Sequence, residues 1–574
     1  MTRTIRRRVT DGDALQSDMH PLLQRLYRAR GVRSATELDL GLGQLIPVSQ
    51  LGGIPAAIAL LCSHFSARGR IIVVGDFDAD GATSTALVLR QLRRLGFGDV
   101  DFIVPNRFQY GYGLTPEIVQ LAAQQRPALI MTVDNGISSH AGVAEAARLG
   151  IDTLITDHHL AAASLPLATA IVNPNAPGDS FASKALAGVG VAFYLMAALT
   201  REMQTRGLCA NPPPVAELLD LVALGTVADL VPLDHNNRVL VHQGLRRIRA
   251  GRCSPGVRAL LECANRVPAL ATTTDLAFQV GPRLNAAGRL DDMSVGIRCL
   301  LADDIETARL MAARLAQLNQ DRRELELQMQ QDALLAIENM RAEDPLLPLG
   351  LCLYDESWHQ GVVGLVASRV KDRVHRPVIA LARGDETMLK GSARSVPGVH
   401  IRDVLDAIAA RNPGLIEKFG GHAMAAGLTL PAAGLEDFRR AFDEEVRRWM
   451  TVEDAIGIVY SDGALTRNER CLEVARLLRQ SGPWGQSFPE PLFDGCFAVR
   501  SSRVVAERHL KLDLDDGEGQ LCEAIAFRHF DDDGAPTVEP AARVEIAYRL
   551  DVNEYNGLEK LQLVVEYLRV LGSD

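Results

Sequence analysis

IIVVGDFDADGATSTAL, residues Ile71 to Leu87, is the stretch whose reading decides the fold. Ile71 to Val74 are four β-branched residues in a row, the composition of a strand buried on both faces. Gly75 breaks the run, and Asp76, Asp78 and Asp80 follow at alternate positions before Gly81 closes the turn. Ala82 to Leu95 then predicts a helix turning Ala86, Leu87, Leu89 and Leu92 inward. In an α/β sheet, ligands bind at the carboxyl ends of the strands. Three acids crowded there repel one another, and a divalent cation that favours oxygen ligands removes the repulsion. An acidic loop whose aspartates merely cap a helix is the plainer alternative, and this stretch alone leaves both open.

Outward from it, strand and helix alternate, the pattern of a parallel sheet covered by helices. Val100 to Val104 reads as a strand ending in Pro105-Asn106-Arg107, and Thr115 to Gln124 as a helix with Thr115 as N-cap and Pro116 in its first turn. Ala128 to Val133 is a third strand that runs into Asp134-Asn135-Gly136. After a helix at Ala141 to Leu149, the strand Ile151 to Ile155 runs into Thr156-Asp157-His158-His159. Further on, an apolar helix from Val215 to Leu224 leads into Gly225-Thr226-Val227-Ala228-Asp229. The candidate ligands are therefore Asp76, Asp78, Asp80, Asp134, Asp157, His158, His159 and Asp229. Mixed carboxylate and imidazole ligation is what a two-metal hydrolase of phosphate esters requires.

The remaining segments frame this site. Residues 1 to about 50 read as a helical preface without chemistry, and residues 236 to 265 as helices whose arginines (Arg246, Arg247, Arg249, Arg252) form a solvated face. GPRLNAAGR at 281–289 reads as a Gly-rich turn holding Arg283, Asn285 and Arg289. From Asp304 to Met340 there is no proline or glycine, and apolar residues recur at spacings of three and four. That predicts a long strut helix between two globular parts. Residues 349 to about 447 form a second α/β unit with polar turns at 391–395 and 419–422. From about 455 the pattern is short alternating strands, with Asn556-Gly557 as a hairpin signal. The expected class is α/β, with a parallel-sheet domain and a smaller α/β domain joined by a long helix. A C-terminal OB-like β-barrel follows.

Composition bounds the function. At 574 residues the chain exceeds a single core. No apolar run approaches the roughly 18 residues that span a bilayer, and Arg3, Arg6, Arg7 and Arg8 are followed by no apolar signal region. Nine cysteines without a C-x-x-C pair argue against zinc and disulfides and for the cytoplasm. The net charge of −10 argues against nucleic acid without excluding it, since bound cations and a local basic groove can hold a phosphate chain. The barrel tail is itself acidic, with 9 Lys+Arg against 17 Asp+Glu from Pro491 onward, which leaves a DNA-binding and a protein-binding tail both open.

GDFDADG at 75–81, Asp134-Asn135-Gly136, ITDHH at 155–159 and GTVAD at 225–229 resemble, in order and spacing, the motifs of the DHH phosphoesterase superfamily. PNRFQYGYGL at 105–114, GPRLNAAGR at 281–289, WHQGVVGLVASR at 358–369, GSAR at 391–394 and GGHAMAAG at 420–427 resemble more narrowly its single-strand-specific 5′→3′ DNA exonucleases. The resemblance implies a DHH domain over 51–300 after the 1–50 preface, and a connecting helix over 301–345. It implies a DHH-associated domain over 346–450 and the barrel over 451–574. It carries over Asp76, Asp78, Asp80, Asp134, His158 and Asp229 as ligands of two Mn²⁺ or Mg²⁺ ions, with His159 contacting the scissile phosphate. Ser392, Arg394 and Arg283 would hold the 5′-terminal phosphate. Arg107, Asn285, Arg289, His359, Gly420, Gly421 and His422 would lie on the substrate.

The expected activity is hydrolysis of single-stranded DNA from its 5′ end to mononucleotides, in repair and recombination. Single-strand-binding protein and a helicase are partners by resemblance only. The alternatives are a phosphodiesterase of the same superfamily on short oligonucleotides or cyclic dinucleotides, and a non-catalytic strand-binding factor.

Overall fold

The computed structural model describes residues 3–9, 15, 18–106, 110, 113–162, 164–343, 347–451, 454–529, 538–555 and 557–571. Arg107 and half of the 105–114 motif lie outside them. The chain forms two units, one of residues 7–319 with 460–574, the other of residues 1–6 with 320–459.

The amino-terminal segment holds a strand, β1 (Arg3–Arg7), a helix, α1 (Pro21–Arg28), and three single-turn helices, so the helical preface is only partly helical. The αβ core of the larger unit follows: α2 (Ile54–Ala67), β2 (Ile71–Gly75), α3 (Ala79–Arg94), β3 (Val100–Ile103), α4 (Pro116–Ala123), β4 (Leu129–Val133), α5 (His140–Arg148), β5 (Asp152–Thr156) and β6 (Ala170–Val172). The five strands lie in the order β3-β2-β4-β5-β6, all parallel. Side chains alternate between the two faces of the sheet. Ile72, Val74, Ile130 and Ile155 meet Ile118, Val119 and Val143 of α4 and α5. Ile71, Val73, Leu129, Met131 and Leu154 belong to the main core, with residues of α3 and the later helices. β2 and β4 are buried along their whole length, which is why they read as unbroken apolar runs. The chain leaves β2 for β3 on one side and returns to β4 on the other. The carboxyl ends of β2 and β4 therefore flank the topological switch point, where such sheets open a crevice.

A helical layer comes next: α6 (Gly188–Thr205), α7 (Leu219–Ala228), α8 (His235–Arg249), α9 (Pro255–Cys263), α10 (Thr273–Asp275), α11 (Gly281–Leu290) and α12 (Ser294–Leu301). The expected Gly-rich turn at 281–289 is thus helix α11. Its glycines serve close packing rather than a bend: a Cβ at Gly288 would lie 1.7 Å from the Phe77 carbonyl oxygen. The strut is α13 (Ile305–Glu343), 39 residues and so roughly 58 Å long at 1.5 Å per residue; it passes from one unit into the other.

The smaller unit contains β7 (Leu351–Tyr354), α14 (Val363–Val374), β8 (Val378–Arg383), β9 (Met388–Arg394), α15 (Ile401–Arg411), β10 (Lys418–Gly421), β11 (Ala425–Pro431) and α16 (Leu435–Val446). Its sheet order is β10-β11-β9-β8-β7, with only β7 and β8 parallel. The expected polar turns at 391–395 and 419–422 lie largely within β9 and β10. Gly391 is a crossing point there, since a Cβ would sit 2.5 Å from Leu381 Cδ2. Among the described residues, β12 (Gly457–Ser461) pairs with β1.

After α17 (Leu472–Gln480), the barrel closes in the order β13-β14-β15-β17-β16, from β13 (Phe493–Val505), β14 (His509–Asp515), β15 (Leu521–Ala526), β16 (Arg543–Tyr555) and β17 (Leu558–Leu571). Asn556 lies outside the described residues, but Tyr555 pairs with Leu558, so the hairpin turns where it was expected. Five closed strands in this order are the OB arrangement.

Candidate metal centre

Each acid-tipped element delivers its residues to the β2/β4 crevice by a different local device. Asp78 caps α3, its Oδ1 accepting from the Gly81 amide at 3.0 Å. The turn must pass close to itself there, and a Cβ at Gly81 would lie 2.5 Å from the Asp76 carbonyl oxygen. Asp80, in the first turn of α3, receives the Gly188 and Val189 amides at the start of α6, at 2.6 and 2.9 Å. The positive end of an 18-residue helix thus faces this carboxylate. Asp134 adopts φ of +62°, a left-handed conformation that costs energy for a residue other than glycine. Asn135 holds that turn, its Nδ2 donating to the carbonyls of Val74 and Val133 at 3.1 and 2.9 Å. Asp229 is the C-cap of α7.

These devices bring the side chains together. His158 Nε2 lies 3.1 Å from Asp134 Oδ1, 3.6 Å from Asp229 Oδ2 and 4.0 Å from Asp80 Oδ2. Three sets of donor atoms lie within 4.8 Å of one another: Asp134 with His158 and His159; Asp80 with His158 and Asp229; Asp76 with Asp78 and Asp134. Asp157, also a candidate ligand by sequence, is engaged otherwise. Its Oδ2 accepts from the Ile137 amide at 2.9 Å, and its Oδ1 from the His158 and His159 amides and from His159 Nδ1 at 2.7 Å. It is a buried anchor for the histidine pair. Asn175 and Asn173 donate to the carbonyls of His158 and His159 and fix the same turn from the other side.

The electrostatics show what the cluster lacks. Burial, then the charge of Asp78, pushes the Asp80 carboxyl up to about 7 despite its two amide donors. Burial and the neighbouring acids push Asp134 and Asp229 well above the ordinary range. Burial disfavours a charged His159, but the Asp157 hydrogen bond and charge outweigh it and raise the imidazole to about 9. Oxygen donors plus one or two imidazoles, converging at the mouth of a crevice and repelling one another, fit a divalent-cation centre. Asp76, Asp78, Asp80, Asp134, His158 and Asp229 are the residues placed to hold it.

Several contributions were not legible beforehand. The Gly188-Val189 amides lie in a segment that reads only as an apolar helix, and a Cβ at Gly188 would press on Asp134 Oδ1 at 2.6 Å. Asn285, expected on the substrate, accepts the Ala79 amide on its Oδ1 at 2.7 Å. Together with Gly288 against Phe77, this makes α11 a clamp on the acid loop. Arg283 and Arg289 are half-buried on the same helix, and Arg283 donates to the Gln279 carbonyl.

In the smaller unit, Arg394 Nη1 donates to Ser392 Oγ at 2.7 Å and to the Ala393 carbonyl at 2.8 Å. Gly364, in the first turn of α14, adjoins both, since a Cβ there would lie 2.8 Å from Arg394 Nη2 and 2.9 Å from Ser392 Oγ. Gly420, Gly427 and Ser392 are register partners across β10, β11 and β9. A Cβ at Gly420 would meet nothing within 4 Å, so the two glycines leave an open stretch beside Ser392. Gly421 has φ of +149° and lies against the Ala425 carbonyl, and the His422 amide donates to that same carbonyl at 2.8 Å. His359 Nδ1 accepts the Gly361 amide at 3.1 Å.

A parallel sheet with a mixed carboxylate–histidine cluster at its switch point, followed by a second small α/β unit, defines a phosphoesterase of the DHH class. Family models agree: the DHH family N-terminal domain matches residues 70–226, the DHHA1 domain 348–448 and the RecJ OB domain 461–567. The chain is 53% identical over 570 residues to the single-stranded-DNA-specific exonuclease RecJ of Salmonella typhimurium, and 52% over 569 residues to that of Escherichia coli; each match covers 98% of both chains. Crystal structures of Thermus thermophilus RecJ with Mn²⁺ and with Mg²⁺ superpose with TM-scores of 0.79 and 0.73. They share 32% and 30% identity with this chain and cover 96% of it, and 76% and 75% of those chains. The chain belongs to the RecJ family.

Two outcomes are expected. A carboxyl raised in the folded state binds its proton more tightly there than in the unfolded chain. For Asp80 that stabilisation is full below its unfolded value near 4 and is lost as pH rises through about 7. A cation that needs the ionised acids gains over the same window. The rise in melting temperature on adding Mn²⁺ is therefore larger at pH 8 than at pH 6, and an equal rise at both would remove the acids as ligands. Asn285→Ala should leave the metal-free melting temperature nearly unchanged but weaken Mn²⁺ activation about 10–100-fold, the usual cost of an outer partner of a metal site. Asn285→Asp, which keeps the acceptor, should recover part of it. Unaltered Mn²⁺ dependence in the alanine variant would show that α11 does not set the acid loop.

Proposed function

We infer that the chain is a metal-dependent exonuclease that hydrolyses single-stranded DNA from the 5′ end and releases 5′-mononucleotides. The observation that carries this is the convergence of Asp76, Asp78, Asp80, Asp134, His158 and Asp229 at one crevice, in a chain half identical to named single-strand exonucleases.

Bound divalent ions supply positive charge for the phosphate oxygens and water of lowered pKa for the attack. The chain's own groups do the rest. Asp134 and His158 each belong to two of the three donor sets and would be among the residues that hold the ions. His159, held by Asp157 on its Nδ1, carries a proton at neutral pH and offers Nε2 to a phosphate oxygen or to the departing 3′-oxygen. The amides of Gly188 and Val189 hold the Asp80 carboxyl in its buried place, so the site is organised before substrate arrives.

Polarity is assigned to the smaller unit. Ser392 and Arg394, joined by a hydrogen bond beside the glycine of α14, present a hydroxyl and a guanidinium to a terminal phosphate. The open Gly420–Gly427 stretch allows a sugar–phosphate chain to approach the backbone, and Gly421, His422 and His359 border the same segments. Arg283, Arg289 and Arg107 are proposed phosphate contacts on the larger unit. The setting is the cytoplasm, in repair and recombination, where a helicase and a single-strand-binding protein would present such strands. Among the described residues no single helix is long and apolar enough to cross a membrane.

A terminal phosphate carries nearly two charges and each internal diester one, so a charge-assisted bond favours the end of the strand. Losing it costs about 1.5–3 kcal/mol, or roughly ten- to a hundredfold in kcat/KM. Arg394→Ala should therefore slow 5′-phosphorylated strands by that factor and 5′-hydroxyl strands much less. Equal losses on both substrates would sink the assignment of Arg394 to the 5′ end.

A further inference from the structure

The barrel is acidic, and several of the basic side chains on its strands are matched by acids. Lys511 pairs with Glu523 at 2.7 Å, Arg500 with Asp515 at 2.5 Å, and Ser501 bonds Asp513. Beside the barrel, however, lies a cavity of about 260 Å³ that α8, the segment around α10, α17 and strands β16 and β17 share. Its lining includes His242, Arg249, Arg266, Arg479, Arg549 and Phe527.

The charges there are of two kinds. Arg266 is matched by Asp275 at 3.2 Å, and Arg549 by Glu490 and Glu566 at 2.8 and 2.6 Å. Arg249 and Arg479 have no carboxylate within ion-pair distance among the described residues. Arg249 is half-buried and fixed through Nε to the Ala271 carbonyl at 2.8 Å, which leaves its two terminal nitrogens for another acceptor. Arg479 acts on it as a nearby like charge. Asp275, Glu490 and Asp551 also line the cavity, and Asp275 acts on Arg249 as an opposite charge. Asp275 and Glu490 are already paired with Arg266 and Arg549, so the two guanidiniums without an ion pair still favour an anion with several oxygens. Phe527, 54% exposed and 5.4 Å from the His509 ring, adds an aromatic face at the rim. Basic groups beside an aromatic surface are how single strands are held without regard to sequence.

Location separates this cleft from the chemistry. Asp229 caps one end of α7, while Gly244 of α8 packs against Leu219 at the other, with a Cβ 2.2 Å from the Leu219 carbonyl oxygen. Ten residues of helix, roughly 15 Å, lie between them, and Arg249 is more than a turn further along α8.

We propose that this cleft binds a backbone phosphate of the DNA strand several nucleotides from the bond being cut, with Arg249 and Arg479 as its ligands and Phe527 stacking on an adjoining base. The site rests on the exonuclease reading above and extends it. The basic face of α8, which by sequence reads as solvated, supplies the charge that the barrel lacks. At 260 Å³ the cavity suits a phosphate and part of a sugar rather than a whole ligand of drug size.

The test uses the full-length enzyme with Mn²⁺ and two 5′-phosphorylated substrates, a dinucleotide too short to reach the cleft and a 20-nucleotide strand. Arg249→Gln and Arg479→Gln should each raise KM for the long strand about tenfold with kcat little changed. Each should also lower the salt slope of long-strand binding by about 0.7, the loss of one phosphate contact on a single strand. Phe527→Ala should raise KM for the long strand without altering the salt slope. Dinucleotide kinetics report folding and the intact metal site. An unchanged KM and slope on the long strand, or equal losses on both substrates, would overturn the proposal. Free thymidine monophosphate that competes for the cleft as strongly as the long strand would assign it to a mononucleotide and overturn it as well. Wild-type enzyme that fails to degrade the long strand would refute the exonuclease reading instead, so the two failures are distinguishable.

Discussion

Repulsion among buried carboxylates is the constraint on which the architecture of the larger unit depends. Asp80 and Asp134 are almost wholly buried, and Asp76, Asp78 and Asp229 lie close enough to raise their proton affinity. Isolated charges in such a place neutralise themselves by taking up protons. Keeping them ionised near neutral pH requires cations, so the fold and its metals are linked: the scaffold must hold an arrangement that is unfavourable until the ions arrive. The parallel sheet meets that demand because strands buried on both faces are stiff, and their ends can be loaded with acids without loosening the strands themselves.

The scaffold answers the repulsion with backbone rather than with side chains. The start of α6 gives Asp80 two amides, and Asp134 is forced into a left-handed turn stapled by Asn135. Gly188 and Gly288 let helices approach the cluster where any Cβ would overlap Asp134 or the Phe77 carbonyl. Among the described residues, Asp80 and Asp229 form no ion pair with a lysine or arginine, and His158 is the basic side chain beside both. A permanent internal cation would satisfy the acids and remove their affinity for metal. Amides and helix ends stabilise the carboxylates by partial charges, enough to place them without neutralising them.

This distinction explains what was legible in the sequence. The acids and histidines announce themselves because charged residues directly after β-branched runs have few structural uses. The parallel sheet, the strut helix and the β-barrel follow from hydrophobic period. What escaped notice acts through backbone or through absence of a side chain. Gly188 and Val189 read as part of an apolar helix. Gly281 and Gly288 suggested a turn, although in α11 they serve contact with Ala228 and Phe77. Gly391 and Gly420 likewise suggested turns and lie in strands, because a glycine's local freedom says nothing of the neighbour that forbids a Cβ. Asn285 is placed on the substrate by resemblance, and its second task, support of the acid loop, is not legible beside that. Its bond to Ala79 joins positions 206 residues apart, which no local pattern encodes.

The same reasoning bears on how a chain of net charge −10 can hold a polyanion. A large share of the arginines on its surface are matched by acids one turn away or across a strand, as Arg148 with Glu145, Arg309 with Glu306 and Arg569 with Glu545. Such pairs are close to neutral at a distance and add little to long-range attraction. Affinity for phosphate then depends on the few cationic groups left uncompensated, and on the acids that become cation-binding once metal is present. A pair of divalent ions at the crevice reverses the sign of the local field where the phosphate must sit, although the protein as a whole stays negative. Net charge therefore measures the solvated surface, while attraction for the strand is set by a small number of sites whose compensation has been withheld.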